Sequence, residues 1–311
     1  MMKQQEKRLL LKDILDTREL DSCVHDELEM ALENVMDGNV GASALCHLDN
    51  LCYDVFKSIP SETEERTLFR FTGLSAKGED EGKKWEGENC FAFNDIKDRA
   101  LTLSAPKLFN DPMDPLIKAW VEWRKVHYDD KDDKILYRLI EETLGKIRIC
   151  CFADPLRSKG RTKMPRIEDC SPLMWAHYAN SHKGICIQYK INPSLIQESD
   201  QWVIRLMDVD YKKVFPLDGN IPLVDSLCVK SGSWQYENET RLILYTRDKA
   251  NDYGRRRMKS HNIEAVYMGY RIEHEKRDYL KRMLKGTSIK LYQMSFSEDD
   301  ISKLVSHQIK L

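Results

Sequence analysis

The 311-residue sequence has no surplus of either charge: 49 lysines and arginines stand against 51 aspartates and glutamates, a formal net charge of -2. That removes the global basic bias expected of a nucleic-acid-binding protein and leaves only local patches to weigh. No apolar run approaches the roughly 20 residues of a membrane span. The charged N-terminus, Met1-Met-Lys-Gln-Gln-Glu-Lys-Arg8, lacks the apolar core of a signal peptide. A cytoplasmic location with no membrane partner is expected. The sequence contains no Cys-x-x-Cys pair, no internal repeat and no low-complexity stretch. Its nine cysteines are an odd number without framework spacing, which reads as free, largely buried thiols. Cys150, Cys151, Cys170, His177, His182 and Cys186 cluster in sequence. Neighbouring Cys150 and Cys151 would face opposite ways on a strand, so no metal is assigned to them.

What is present is a globular composition, 41% hydrophobic and 32% charged, on a chain long enough for one large domain with an appendage. Residues 1–66 read as helical. Leu9, Leu10, Ile14 and Leu15 recur at helical spacing, then Leu28, Leu32, Val35 and Met36, with a third segment from Val40 to Ile59. The polar run Pro60–Arg66 marks a boundary. The expected organisation is a helical N-terminal extension, 1–66, that docks a partner or dimerises, and an α+β main domain, 67–311.

The richest stretch is Pro172-Leu-Met-Trp-Ala-His-Tyr-Ala-Asn-Ser-His-Lys-Gly-Ile-Cys-Ile-Gln-Tyr189. Ser171 as N-cap, Pro172 in the first turn and Gly184 at the end predict a short helix. The alternation of Ile185, Ile187 and Tyr189 predicts a strand after it. Trp175, Tyr178 and His182 would share one helix face, with His177 and Asn180 toward another. Either Trp175 and Tyr178 are core and His177 a satisfied polar residue, or this segment lines a ligand cleft.

Thr67-Leu-Phe-Arg-Phe-Thr72 predicts a strand with Arg70 among apolar residues. Arg70 is then at a sheet edge, or is a buried anchor for an anion. Phe91–Asn94 and Ala100–Ser104 predict short strands. The turn-forming run Lys107–Pro115 holds Asn110, Asp111 and Asp114, either as caps or as an oxygen cluster. Helices are expected to about His127 and over Lys131–Lys146, and a strand over Ile147–Phe152. The polar segment 154–169 carries five cations, Arg157, Lys159, Arg161, Lys163 and Arg166. Trp202–Tyr211 predicts a strand. From Trp234 the segment Val229–Tyr245 alternates, placing Gln235, Glu237, Glu239 and Arg241 on one strand face with side chains two apart about 7 Å from one another. That row is a solvated face with an internal ion pair, or a carboxylate held by its neighbours to act on a substrate. Arg255–Arg257 reads as a loop, Ile263–Met268 as a strand, Glu273–Lys285 as a helix, Ser288–Met294 as a strand, and Ser297–Leu311 as a short helix or tail. The mixed order argues an α+β fold: a mixed, largely antiparallel sheet with flanking helices.

Five motifs carry a resemblance. They are Leu68-Phe-Arg-Phe71; Leu103-Ser-Ala-Pro-Lys-Leu-Phe-Asn-Asp-Pro-Met-Asp114; Met174-Trp-Ala-His-Tyr-Ala-Asn-Ser-His-Lys-Gly184; Lys230-x-x-x-Trp-x-Tyr-Glu-x-Glu-x-Arg241; and Ile263-x-x-Val-Tyr-Met-Gly269. In this order they resemble a bacterial domain-of-unknown-function family of the abortive-infection or phage-defence type, over about residues 67–295. A second, looser resemblance is to ADP-ribosyltransferase folds. These carry a basic residue on an aromatic–basic–aromatic–Thr strand, a middle Tyr or Ser, and a later strand Glu, often Glu-x-Glu. On that resemblance NAD is the substrate and Glu239, Glu237 and Tyr178 are catalytic. Arg70, Thr72, His177, Trp175 and Arg241 bind the dinucleotide, and a protein or nucleic acid is the acceptor. The residue types suit the chemistry: a carboxylate for an oxocarbenium-like state, Arg for phosphate or ribose, aromatic rings for nicotinamide. Two other functions are consistent with the residues: a non-catalytic nucleotide- or ligand-binding sensor, and a nuclease with Asp111, Asp114, Glu237 and Glu239 around a divalent metal. The transferase needs Arg70, Tyr178 and Glu239 in one pocket; the nuclease needs Asp111 or Asp114 beside the glutamates.

Overall fold

The computed structural model describes residues 42–75, 86–87, 90–127, 133–157, 163–192, 199–212, 223–247, 255–259 and 262–311. The first two expected helices, with any docking or dimer surface on them, lie outside the described residues. So do Lys159, Arg161 and most of the loop 73–89.

In chain order the elements are α1 (Ala42–Ser58), β1 (Arg66–Thr72), α2 (Phe91–Lys97), β2 (Ala100–Ser104), α3 (Leu116–His127), α4 (Asp133–Gly145), β3 (Ile147–Ala153), α5 (Leu173–Tyr178), β4 (Ile185–Ile191), β5 (Trp202–Asp208) and β6 (Asp210–Lys212). Then come α6 (Leu223–Ser226), β7 (Val229–Ser231), a 3-10 turn over Gly232–Glu237, β8 (Glu239–Thr246), β9 (Arg255–Lys259), β10 (Asn262–Met268), α7 (His274–Leu284), β11 (Lys290–Phe296) and β12 (Leu304–Ile309). The class is α+β, with a largely antiparallel sheet. Among the described residues no helix is long and apolar enough to cross a membrane.

Ten strands join in the order β12-β11-β10-β4-β1-β3-β2-β9, with β8 paired to β3 and β5 to β8. The joint at β3 is what positions the site. On one edge β3 pairs with β8 along its length, from Ile147↔Tyr245 to Ala153↔Glu239. On the other edge it meets β2 only at Ile149↔Ser104 and β1 only at Ala153↔Phe69. The sheet therefore splits between β1 and β2, and two half-sheets diverge from β3. Leu68, Ile187, Tyr189 and Val266 of one half pack with Cys150, Phe152, Leu242 and Leu244 of the other in a shared core. Behind the first half, Phe69, Phe71 and Cys186 pack on Met174 and Trp175 of α5. Behind the second, Ile149, Val203, Ile243 and Tyr245 pack on α1, α3 and α4.

The third expected helix, α1, shares this last core. Its Leu51, Cys52, Val55 and Phe56 recur at helical spacing and are buried, and the Phe56 ring stacks 5.3 Å from Tyr245.

Several local expectations are corrected. Phe91–Asn94 is the start of α2, not a strand; buried Ala92, Phe93, Asp95 and Ile96 follow a helical repeat. Arg255–Arg257 is part of β9, paired along β2, not a loop. Residues 304–309 form β12 antiparallel to β11 rather than a helix or tail. The strand expected over Trp202–Tyr211 divides at Val209 into β5 and β6. The helix of the richest stretch ends at Tyr178, because Asn180, Ser181 and His182 all take left-handed backbone, φ 46°, 53° and 68°. Gly184 thus does not cap a helix; it allows close approach, since a Cβ there would meet the Thr72 carbonyl oxygen.

If α1 is integral to the core, Phe56→Ala should cost about 3–5 kcal/mol. Urea denaturation of the full chain reads this; a loss near zero would mark α1 as an appendage.

Candidate functional site

The split in the sheet opens into a cleft of about 670 Å³. Phe69, Arg70 and Phe71 of β1 line one side, and Cys150, Cys151 and Phe152 of β3 another. His177 and Tyr178 enter from α5, Asp111 and Asp114 from the loop after β2, and Lys230, Trp234, Glu237 and Glu239 from the segment through β7 and β8.

That last segment is not the continuous strand its alternation predicts. Ser231 caps a 3-10 turn by accepting from the Ser233 N–H, and Asn238 ends the turn in left-handed backbone, φ 44° and ψ 53°. Asn tolerates that conformation. With three residues per turn, Trp234 and Glu237 fall on one side and both line the cleft. Glu237 and Glu239 meet across the turn rather than along a strand.

A buried charge cluster forms the cleft wall. Arg241, fully buried, donates from Nε to Glu239 Oε1 at 2.8 Å and from Nη2 to Asp114 Oδ2 at 2.7 Å. Its Nη1 donates to the Leu227 carbonyl at 2.6 Å. Lys230 Nζ donates to Glu237 Oε2 at 2.7 Å and Glu239 Oε2 at 3.1 Å, and lies 3.5 Å from Asp114 Oδ2. Tyr178 Oη donates to Glu237 Oε1 at 2.5 Å. The Glu239 N–H donates to Tyr211 Oη at 2.8 Å. Three carboxylates face two cations.

The two glutamates are pushed apart. Burial, then the neighbouring Glu239 charge, raises Glu237 to about 7 despite Lys230 and Tyr178. Burial also works against Glu239, but Arg241 and Lys230 outweigh it and hold this carboxyl well below the usual range. Burial raises Asp114 against the pull of Arg241. Lys230 stays charged because Glu239, Asp114 and Glu237 overcome its desolvation. Cys150 and Cys151 line the cleft, but burial lifts the first thiol to about 11 and the second well above its ordinary value. Neither offers a thiolate at neutral pH.

The expected residues distribute unevenly. Arg70, His177, Tyr178, Glu237 and Glu239 line the one cleft. β1 is an interior strand, so the edge reading of Arg70 falls. Arg70 Nη1 pairs with Asp95 Oδ2 at 3.3 Å, and Asp95 is held by the Thr102 hydroxyl and N–H. Arg70 also lines a second cavity of about 220 Å³ with Thr72. Thr72 is therefore next door to the cleft, not in it. Trp175 is buried edge-on against Phe71, centroids 5.1 Å apart, and does not line the cleft. Arg241 lies behind Glu239. His177 sits at the rim, its ring 6.0 Å from Trp234 and 6.2 Å from Tyr236.

Two residues that matter were not assigned from sequence, Lys230 and Trp234; Asp114 was named beside the glutamates, but only as a metal ligand in the nuclease reading. A lysine directly after the apolar run Leu227-Cys-Val was the available signal for the first. Among the described residues, no group of three or more His, Cys, Asp or Glu is arranged to hold a metal. Asp114 does lie beside Glu239, as the nuclease reading needs, but Lys230 and Arg241 already occupy the space a cation would take.

Fold and site together define an α+β protein with an acidic, aromatic-rimmed cleft in a split sheet. Residues 174–242 match the sequence model of a family described as protein of unknown function, DUF2971. The matched stretch holds Tyr178, Lys230, Trp234, Glu237, Glu239 and Arg241. No curated protein and no solved structure matches the chain.

Glu237 holds its proton more tightly folded than unfolded, so between about 4.5 and about 7 the folded state binds more protons. Its contribution must therefore fall as pH rises through that window. Glu239, depressed, has the opposite sign and loses its contribution on acidification. Glu237→Gln removes only the first. Urea midpoints at about pH 5 and about pH 8 should show wild-type stability dropping more, or gaining less, than that of the variant. Parallel pH dependences would mean Glu237 titrates normally.

Proposed function

We propose that the cleft cleaves the nicotinamide–ribose bond of NAD, as an ADP-ribosyltransferase-like effector. The observation that carries this reading is the convergence of Arg70, Tyr178, Glu237 and Glu239 on one cleft, with two carboxylates of opposed protonation. A pair of titratable groups with separated pKa values marks an acid/base division of labour. Ionised Glu239 stabilises positive charge developing at the ribosyl carbon. The ring nitrogen takes the bond's electron pair and leaves as neutral nicotinamide, so the leaving group needs no proton. Glu237, titrating near neutrality, takes the proton of the attacking hydroxyl or amine. Arg70, part-exposed beside Asp95, supplies donors for phosphate or ribose. Trp234, His177 and Tyr178 offer faces for a planar ring. The resemblance to phage-defence families supports an effector role, with a protein or nucleic acid as acceptor.

One observation favours a non-catalytic ligand-binding module: all four oxygens of Glu237 and Glu239 already accept hydrogen bonds from Tyr178, Lys230 or Arg241.

Nicotinamide release from NAD by the full chain, with and without cell lysate, separates the two. Release should fall roughly 10²- to 10⁴-fold in Glu237→Gln. Glu239→Gln strands buried cations and should also destabilise the fold by about 3–5 kcal/mol, so its melting is followed in parallel. A folded wild type that releases no nicotinamide under either condition sinks the enzyme and leaves the binding module.

A further inference from the structure

One atom of the cluster has nothing to do. Asp114 is 4% exposed, and its Oδ2 takes Arg241 at 2.7 Å and Lys230 at 3.5 Å, while Oδ1 is buried without a hydrogen-bond partner. A buried, unmatched carboxylate oxygen is costly, and native structures seldom leave one idle. Asp114 lines the cleft, so a turn of its carboxylate that brings Oδ1 to the cleft surface would let a bound molecule supply the missing partner.

The surroundings restrict that molecule. Three carboxylates against two cations make this end of the cleft hostile to an anion. Lys230 links Asp114 to an aromatic surface: its Nζ lies 5.1 Å from the Trp234 ring centroid. The Asp114 carboxylate, through Oδ2, and a stacking face thus flank the same ammonium. Planar rings carrying a hydrogen-bond donor fit; planar rings carrying a carboxylate do not.

We infer that Asp114 determines specificity, its Oδ1 accepting a hydrogen bond from the carboxamide N–H of the ligand's ring. The assignment rests on the NAD reading and deepens it: the site takes a nicotinamide nucleotide and rejects the same nucleotide with the ring carboxamide replaced by carboxylate. Asp114 acts on binding, not on the bond that breaks.

The test compares NAD with its deamidated analogue, nicotinic acid adenine dinucleotide, by calorimetric binding and by turnover. Wild type should favour NAD by roughly a hundredfold or more, through like-charge repulsion and an unmatched acceptor. Asp114→Asn keeps a carbonyl oxygen for Arg241 and turns an amide N–H₂ to the ligand. It should lose most of that preference, or reverse it, and a merely structural role for Asp114 would leave the ratio unmoved. The wild-type comparison needs no variant, so a poorly folding Asp114→Asn does not spoil the test. Failure of wild type to distinguish the two dinucleotides, binding both or neither, overturns the assignment; so does a folded Asp114→Asn that keeps the full preference. Selective binding of NAD without turnover supports the assignment and sinks the catalytic reading alone.

Discussion

The pairing of Arg241 with Asp114 and Glu239 is the constraint on which the rest depends. A guanidinium with no exposure is expensive unless its donors are met by charge and by carbonyl oxygens. Here Nε, Nη1 and Nη2 each have an acceptor, from β8 itself, the segment before β7, and the loop after β2. Satisfying Arg241 therefore draws three separate pieces of chain to one point. Once they meet, Glu237 and Lys230 are brought in as well, because Lys230 has three carboxylates within reach. Tyr178 then ties α5 to the cluster through Glu237. A charge requirement on one side chain thus closes one wall of the cleft.

The opposite wall is made by backbone pairing, or its interruption. A sheet edge is normally covered or paired. On β3, one edge is fully used by β8, while the other is shared between single pairings with β2 and β1. The gap left between them is where Arg70, Phe71, Cys150 and Cys151 meet open space. Because the two half-sheets still share a core through contacts such as Phe152 against Tyr189, centroids 5.8 Å apart, the split does not divide the molecule.

The sequence was legible where periodicity and chemistry agreed. The α+β class, the Arg70 strand, the Tyr178 helix and the Glu237–Arg241 group all lie near where the pattern puts them. Failures came where two periods fit the same short run. From Trp234 to Glu237 the chain alternates well enough for a strand, but Ser231 and Asn238 are a cap and a left-handed stop, and the turn between them has period three. Phe91–Asn94 alternates for only three residues before Asp95 and Ile96 disclose a helix. Trp175 stayed divided between core and cleft because an aromatic on a motif helix serves both equally well in sequence. Its side is decided by Phe71, a partner more than a hundred residues away. Lys230 went unread as a site residue because its role exists only once Asp114, Glu237 and Glu239 are gathered around it.

Glu237 and Glu239, whose four oxygens are all satisfied, have to yield somewhere before a ligand can use them. Tyr178 is poorly placed to move: it ends α5, and the left-handed residues after it are pinned by Gly184 against the Thr72 carbonyl. Arg241 is locked by three acceptors. Lys230 is different. Its ammonium is a point charge on a flexible stem, already within 3.5 Å of three carboxylates. Shifting it toward Asp114 and Glu239 gives up one charged hydrogen bond, about 1.5–3 kcal/mol, while its Coulomb partners remain. That shift frees one oxygen of Glu237, the carboxyl that titrates near neutrality, and leaves Glu239 ionised. Of the two glutamates, Glu237 is the one this shift exposes to a ligand, because Arg241 still holds Glu239.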